Sequence, residues 1–360
     1  MQRALENQER EIALVHHKTG VKKSFILRPF RPGDEDAVMK CVSEEYGDTY
    51  YRREYYDKEL LSRKANNGGL FLFLAYCGDD VCGIQSIISH DPSETRLEAA
   101  SQIFRKDYRG YGLPYELVKY TYEAAKALNP SCIYASTVVF HDITQRMCEE
   151  AGMVPVAFNL GSHLTSRMHN SFSLGSSEKY AQAILILPVG RKDAGEIYIH
   201  PDIASSVRRL YEELGVGYNI VSGIPSDDDT AVPEHTELDV SVNEREQSVS
   251  ITVSEIGSDL IQKVREVRSC HDGGYWTMQL ILPTDRSPAL RAYEELVREG
   301  FFYAGIRPLC SDREQIFMQY TGGVRFCFDE YKLTDRFRIL MDEIIRLKRI
   351  SEAGPCGGKK

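Results

Sequence analysis

The sequence predicts a mixed α/β protein in which most neighbouring strands run antiparallel, and three observations carry that reading. Short runs rich in β-branched and aromatic residues alternate with amphipathic stretches that place apolar residues at helical spacing. Two pairs of strand-like runs, Leu70–Cys77 with Val81–Ser89 and Glu237–Asn243 with Ser248–Ser254, are separated by only three or four residues, as hairpins require. A doubly wound parallel sheet needs a helix after nearly every strand, and this order lacks one.

The elements follow in order. Residues 1–24 form a polar, helix-prone extension with Glu6, Glu9, Arg10 and Glu11 where an export signal needs apolar residues. Ser24–Phe30 reads as a strand, and Pro32-Gly33-Asp34 turns the chain into a helix reaching Tyr46. A charged helix is expected over Asp57–Asn66, then the first hairpin, then a strand over Arg96–Phe104. That strand runs into Arg105–Pro114, from which a helix extends to Leu128 with Leu117, Val118, Tyr122 and Ala125 on its apolar face. Cys132–Phe140 is a strand, Asp142–Ala151 a short helix closed by Gly152, and Val154–Leu160 and Ala183–Val189 are strands flanking the polar loop Gly161–Lys179.

The second half repeats a similar order. Ile197–Ile199 is strand-like, His200-Pro201-Asp202 opens a helix that Gly215 closes, and Ser222–Glu234 is a polar surface loop. After the second hairpin come a helix over Ser258–Arg268, a strand over Tyr275–Leu282 and a helix over Ala289–Glu299. Strands over Phe301–Ile306 and Gln315–Tyr320 precede a closing amphipathic helix, Leu333–Lys348, and a frayed tail.

Composition narrows the function. The 360 residues are enough for two domains, and 42% hydrophobic with 27% charged residues lets each bury a core. With 44 Lys+Arg against 53 Asp+Glu, the net charge of −9 argues against nucleic acid or an anionic membrane as a partner. Nine cysteines without a Cys-x-x-Cys pair, several of them in apolar runs (Cys77, Cys132, Cys327), read as reduced thiols rather than a zinc site or a disulfide framework. No run approaches the roughly 20 apolar residues of a membrane span. The expectation is a soluble, cytoplasmic chain.

Arg109-Gly110-Tyr111-Gly112-Leu113-Pro114 is the segment that carries chemistry. Two glycines between a strand and a helix let the backbone approach a ligand and leave N–H groups at a helix N-terminus, which suits an anion. Pro114 fits the first helical turn, where no N–H is needed. Walker A is excluded because no Gly-Lys-Ser/Thr follows, and the dinucleotide fingerprint because position 115 holds Tyr115. The remaining pattern resembles the acetyl-CoA pyrophosphate loop of the GCN5-related N-acetyltransferases (GNAT family), Arg/Gln-x-x-Gly-x-Gly/Ala. Arg109 and Gly112 match it and Pro114 departs from it. Downstream, the family spacing Asn-x-x-Ala-x-x-x-Tyr-x-x-x-Gly-Phe is kept as His141, Thr144, Cys148, Gly152 and Met153 with the residue types changed.

The resemblance covers 25–190 and implies a GNAT domain there, a degenerate GNAT-like domain over 191–325, and a C-terminal helix and tail over 326–360. Each domain would be a mostly antiparallel mixed sheet flanked by helices. Arg291–Phe301 with Gly305 and Pro308 resembles the family's fourth helix and sixth strand, but only Glu255-Ile256-Gly257 lies where a second pyrophosphate loop would stand. One acetyl-CoA per chain is therefore expected.

The same resemblance implies the roles. Glu98 would take the proton of the acceptor amine, whose reference pKa near 10.4 keeps it charged at neutral pH. The main chain of Ile103 and Phe104 would hold the pantetheine arm and the thioester oxygen. Arg109, Gly110, Tyr111, Gly112 and Leu113 would cradle the pyrophosphate, with His141 and Thr144 bordering the arm. Cys148 stands where the family has a Tyr that protonates the leaving thiolate; it is either that acid or a core cysteine, with Tyr111, Tyr134 or water as substitutes. No metal is expected: His163 and His169 lack Cys or acidic company in sequence, and His16-His17 is expected to be a solvated pair.

The function implied is acetyl-CoA-dependent transfer to a small-molecule or peptide amine by direct attack in a ternary complex. The alternatives are a non-catalytic acyl-CoA-binding sensor, motivated by Pro114 and Cys148, and a purely structural tandem module. Acceptor, acyl length and oligomeric state stay open.

Overall fold

The computed structural model describes residues 5, 8–91, 95–167, 176–190, 193–223, 232–271, 273–307 and 313–352. They form two compact units, Met1–Ala135 with Glu150–Gly152, and Ser136–Glu149 with Met153–Lys360.

The first unit contains β1 (Arg10–Val15), β2 (Lys22–Pro29), α1 (Glu35–Tyr46), α2 (Lys58–Asn66), β3 (Leu70–Cys77), β4 (Asp80–Ile88), β5 (Arg96–Phe104), α3 (Leu113–Ala125) and the start of β6 (Cys132–Val138). Its strands lie in chain order, each antiparallel to the last until β6, which runs parallel to β5 after the α3 crossover. Asp57 caps α2 by accepting from the Leu60 N–H at 2.9 Å. Val38, Cys41 and Val42 face inward from α1 at i, i+3, i+4 spacing, and with Leu61, Leu72, Ile84 and Ile103 they build one side of the core. Each such aliphatic side chain contributes about 1.5–3 kcal/mol by leaving water.

The N-terminal extension corrects the sequence reading. Residues 10–15 are a strand, not helix: Ile12 and Leu14 turn towards the protein while Glu11, Ala13 and Val15 face out, and Ile12 pairs with Phe25. Local helix preference yields because the β2 edge offers a full ladder of backbone partners.

The second unit holds α4 (Ile143–Glu150), β7 (Val154–Leu164), β8 (Lys179–Pro188), β9 (Asp193–Tyr198), α5 (Pro201–Leu214), β10 (Gly217–Val221), β11 (Glu237–Asn243), β12 (Ser248–Glu255), α6 (Leu260–Ser269), β13 (Thr277–Pro283), α7 (Pro288–Arg298), β14 (Phe302–Arg307), β15 (Gln315–Tyr320) and α8 (Asp335–Glu352). The strand order is β8-β7-β14-β15-β13-β12-β11, with β9 and β10 paired separately. Here too one parallel pair, β12 with β13, is bridged by a helix, α6, amid antiparallel neighbours. The short β10 escaped the sequence reading, since its polar Gly-Tyr-Asn start carries little strand signal without its parallel partner β9. The expected loop after Gly161 is shorter than read: His163 pairs with Tyr180 and Leu164 with Lys179 in the β7–β8 ladder. His169 lies outside the described residues.

Lys179 is fully buried in this unit, its Nζ donating to the Gln247 carbonyl and to Thr277 Oγ1, both at 2.9 Å. Burial pulls its ammonium down to about 8, against the opposing pull of Glu246. The folded chain thus gives up this proton near pH 8, whereas the unfolded chain keeps it until about pH 10.4. Between those values the unfolded state binds more protons, so this group adds stability as pH rises, at most about 1.4 kcal/mol per pH unit. Denaturant melts at pH 7, 8, 9 and 10 check this. Native minus Lys179→Met stability should climb across that window, and a flat difference would refute it.

Among the described residues no helix is long and apolar enough to cross a membrane, and no three His, Cys, Asp or Glu side chains converge as a metal site.

Candidate functional site

The loop between β5 and α3 is built for close approach. Gly110 and Gly112 have φ of 87° and 74°, a region that Gly enters without penalty. Gly112 is the left-handed N-cap of α3, and a Cβ on it would meet nothing within 4 Å. The N–H groups of Gly110, Tyr111, Gly112 and Leu113 find no acceptor among the described residues, and Pro114 has no N–H to satisfy. Four consecutive free amides at the positive end of a 13-residue helix fit an anionic group such as a pyrophosphate.

The loop is braced from behind. Tyr111 is buried with its ring 5.5 Å from Phe25, and the edge of His16 lies 5.0 Å away. The expected solvated pair holds for His17 alone, which stays exposed while its ring reaches the Gly110 carbonyl; His16 is half-buried against this loop from the β1–β2 turn. Arg109 extends away to an ion pair with Glu45 of α1.

The strand feeding the loop is interrupted. Ser101, at φ 51°, and Gln102 together oppose the single residue Gln85, which is a β-bulge. Gln85 Nε2 and Ser86 Oγ both donate to the Ala100 carbonyl, at 2.8 and 2.9 Å. β5 is paired with β6 only over Arg96–Ala99. Beyond the bulge, Ile103 and Phe104 continue along β4, and their other edge has no strand partner among the described residues. That leaves backbone donors and acceptors available to an extended ligand. Tyr50 and Tyr55 turn their hydroxyls towards Ser101. Neither the fully buried Tyr55 hydroxyl nor Ser101 Oγ completes a hydrogen bond. Burial pushes Tyr55 up to about 12.

Glu98 lies on β5 just before the bulge. It accepts from or shares a proton with His90 Nε2 at 2.6 Å and accepts from Arg52 Nη2 at 3.3 Å. Its side chain is 17% exposed against 51% for His90, so the pair leads from a half-buried carboxylate to solvent. Sequence reading missed both partners: they lie 8 and 46 residues from Glu98, and no local pattern marks them.

His141, Thr144 and Cys148 belong to the other unit. His141 is half-buried against Phe140, ring centroids 5.3 Å apart, and burial lowers its pKa. Thr144 is half-buried on α4, whereas Cys148 is 2% exposed. Between them the buried Gln145 donates to the Val138 and Lys332 carbonyls, at 2.8 and 3.0 Å, and accepts from the Thr334 N–H, anchoring α4.

The corresponding helix start in the second half is closed by the chain itself. At the start of α6 the Gly257 N–H donates to Thr236 Oγ1 at 3.0 Å and the Ser258 N–H to the Pro233 carbonyl at 2.9 Å. Any Cβ at Gly257 would lie 2.3 Å from the Thr236 nitrogen. Asp259 in turn accepts from the Thr236 N–H at 2.6 Å. Residues 233–236 thus occupy the place that an anion would need.

No protein-family model matches the sequence, and no curated protein matches it. Solved structures similar to it include a spermidine N-acetyltransferase from Vibrio cholerae, at 15% identity and a TM-score of 0.36, covering 46% of this chain and 93% of that one. A ribosomal-protein-S5-alanine acetyltransferase from Vibrio fischeri matches at 12% identity and 0.36, again over 46% and 93%. A GNAT-family protein from Desulfovibrio desulfuricans matches at 17% identity and 0.35, over 46% and 99%. Each of these matches spans less than half of this chain.

Proposed function

We propose that the chain is an acetyl-CoA-dependent N-acetyltransferase that binds one acetyl-CoA, through the β5–α3 segment, and acetylates a small-molecule or peptide amine. The observation that carries this reading is the run of free amides from Gly110 to Leu113, preceded by a strand that loses its neighbour at a bulge. The amides and the α3 dipole would hold the pyrophosphate, and the unpaired edge of Ile103 and Phe104 would hold the pantetheine arm. Acetyl-CoA supplies an activated acyl carbon.

This chain's residues supply the rest. Glu98 accepts the proton of the acceptor ammonium, and His90 passes it towards solvent. Arg52 orients the Glu98 carboxylate. The edge amides of β5 donate to the acyl oxygen as negative charge gathers on it. Cys148, 2% exposed, fits core packing better than proton donation, so water is the simpler source of the proton that the leaving CoA thiolate takes up. His141 and Thr144, which the resemblance sets beside the pantetheine arm, belong to the other unit.

Division of the chain at residues 24, 190 and 325, with a degenerate second domain, belongs to the same proposal. The closed α6 start supports it, because it removes the second anion site. A sensor that binds acyl-CoA without turnover is the second reading, favoured by the burial of Cys148.

Calorimetric titration with acetyl-CoA tests the proposal, followed by an amine panel with thiol detection. One site per chain and release of free CoA are expected. Binding without release in any amine would establish the sensor reading. Absence of binding would overturn both.

A further inference from the structure

We propose that His17 is a positioning residue of the acetyl-CoA loop, which holds the Gly110 carbonyl and thereby aims the Tyr111 N–H at the ligand; this rests on the acetyl-CoA reading above. The Gly110 oxygen accepts twice from one residue: from the His17 main-chain N–H at 2.9 Å and from its ring Nδ1 at 2.8 Å. A carbonyl oxygen only accepts, so Nδ1 is the protonated nitrogen of that ring.

The peptide between Gly110 and Tyr111 is planar and trans, so its C=O and N–H point in opposite directions. Fixing the oxygen on the β1–β2 turn therefore turns the Tyr111 N–H to the other face. That N–H is one of the four without an acceptor. The restraint matters because Gly110, at φ 87°, has no side chain to bias its peptide, and a free glycine peptide flips easily.

Neighbouring contacts keep His17 in place. His16 Nδ1 accepts from the Lys18 and Thr19 N–H groups, each at 3.2 Å, and the Gly20 N–H donates to the His16 carbonyl at 2.9 Å, which locks the turn. The His16 ring fills the space beside Gly110, where a Cβ would lie 2.5 Å from Nε2. No residue of the acetyltransferase pattern includes this turn, which precedes the resembling segment.

The test uses the full chain and its His17→Ala and His17→Asn variants, with acetyl-CoA as the calorimetric probe and thermal melting alongside. An Asn amide places a donor close to that of Nδ1. A net hydrogen-bond worth predicts a three- to tenfold weaker Kd for His17→Ala, rescued in His17→Asn, with melting unchanged. If turnover is present, the loss should sit in KM with kcat unchanged. Equal affinity in His17→Ala overturns the proposal, as does a loss that tracks a lowered melting temperature and is not rescued by Asn. An unsubstituted chain that fails to bind acetyl-CoA overturns the underlying reading, and this inference with it.

Discussion

Gly112→Asp is expected to weaken acetyl-CoA binding by 100-fold or more while leaving the fold intact. Gly112 sits at φ 74° and ψ 8°, a left-handed conformation that costs a non-glycine residue about 1–2 kcal/mol. Nothing lies within 4 Å of the added Cβ, so no neighbour has to move. At the N-cap of α3 an Asp carboxylate accepts from the first-turn amides, which recovers about 1 kcal/mol. Those same amides are then no longer free for a phosphate. The new charge also faces an incoming anion: two unit charges 4 Å apart repel by about 4 kcal/mol at a surface-like dielectric, which alone exceeds a hundredfold. Calorimetry and a melting curve on one preparation decide the matter. Undiminished affinity in a folded variant would remove the pyrophosphate from this loop.

Glu98→Gln is expected to lower kcat at pH 7 by about 10²–10⁴, the range general-base catalysis supplies, with acetyl-CoA affinity kept. The substitution is isosteric, and an amide still bonds Arg52 or His90, so the β5 edge should hold its shape. The pH profile separates this role from a structural one. An amine with pKa near 10.4 loses its own proton as pH climbs, so the deficit should narrow towards pH 10. A deficit equal at every pH would mean that Glu98 shapes the site without moving a proton. An unchanged kcat at pH 7 would end its candidacy.

What was legible in the sequence was legible because it is local. The Arg109–Pro114 segment announces itself by two glycines and a proline within six residues, and the structure places it between β5 and the N-terminus of α3. The helices α3 and α8 follow from apolar spacing, and α1 and α5 from the turn residues that flank them. The extension was misread for an equally plain reason. Helix preference is a property of the segment, whereas the strand over 10–15 exists because β2 offers it a partner.

The sequence by itself determined the fold class, the place of the Arg109–Pro114 loop before α3 and the position of Glu98 on the strand that leads to it. Only the tertiary structure decided what surrounds them. His90 and Arg52 meet Glu98, and His17 grips Gly110 across 93 residues of chain, because strand register and helix packing bring distant residues together. The same holds for the second half. Its sequence merely lacks a glycine-rich loop at α6, but the fold goes further and fills that helix start with residues 233–236. Whether a backbone amide is free depends on every segment able to reach it, and a hydrogen-bond partner remote in sequence leaves no periodic signal.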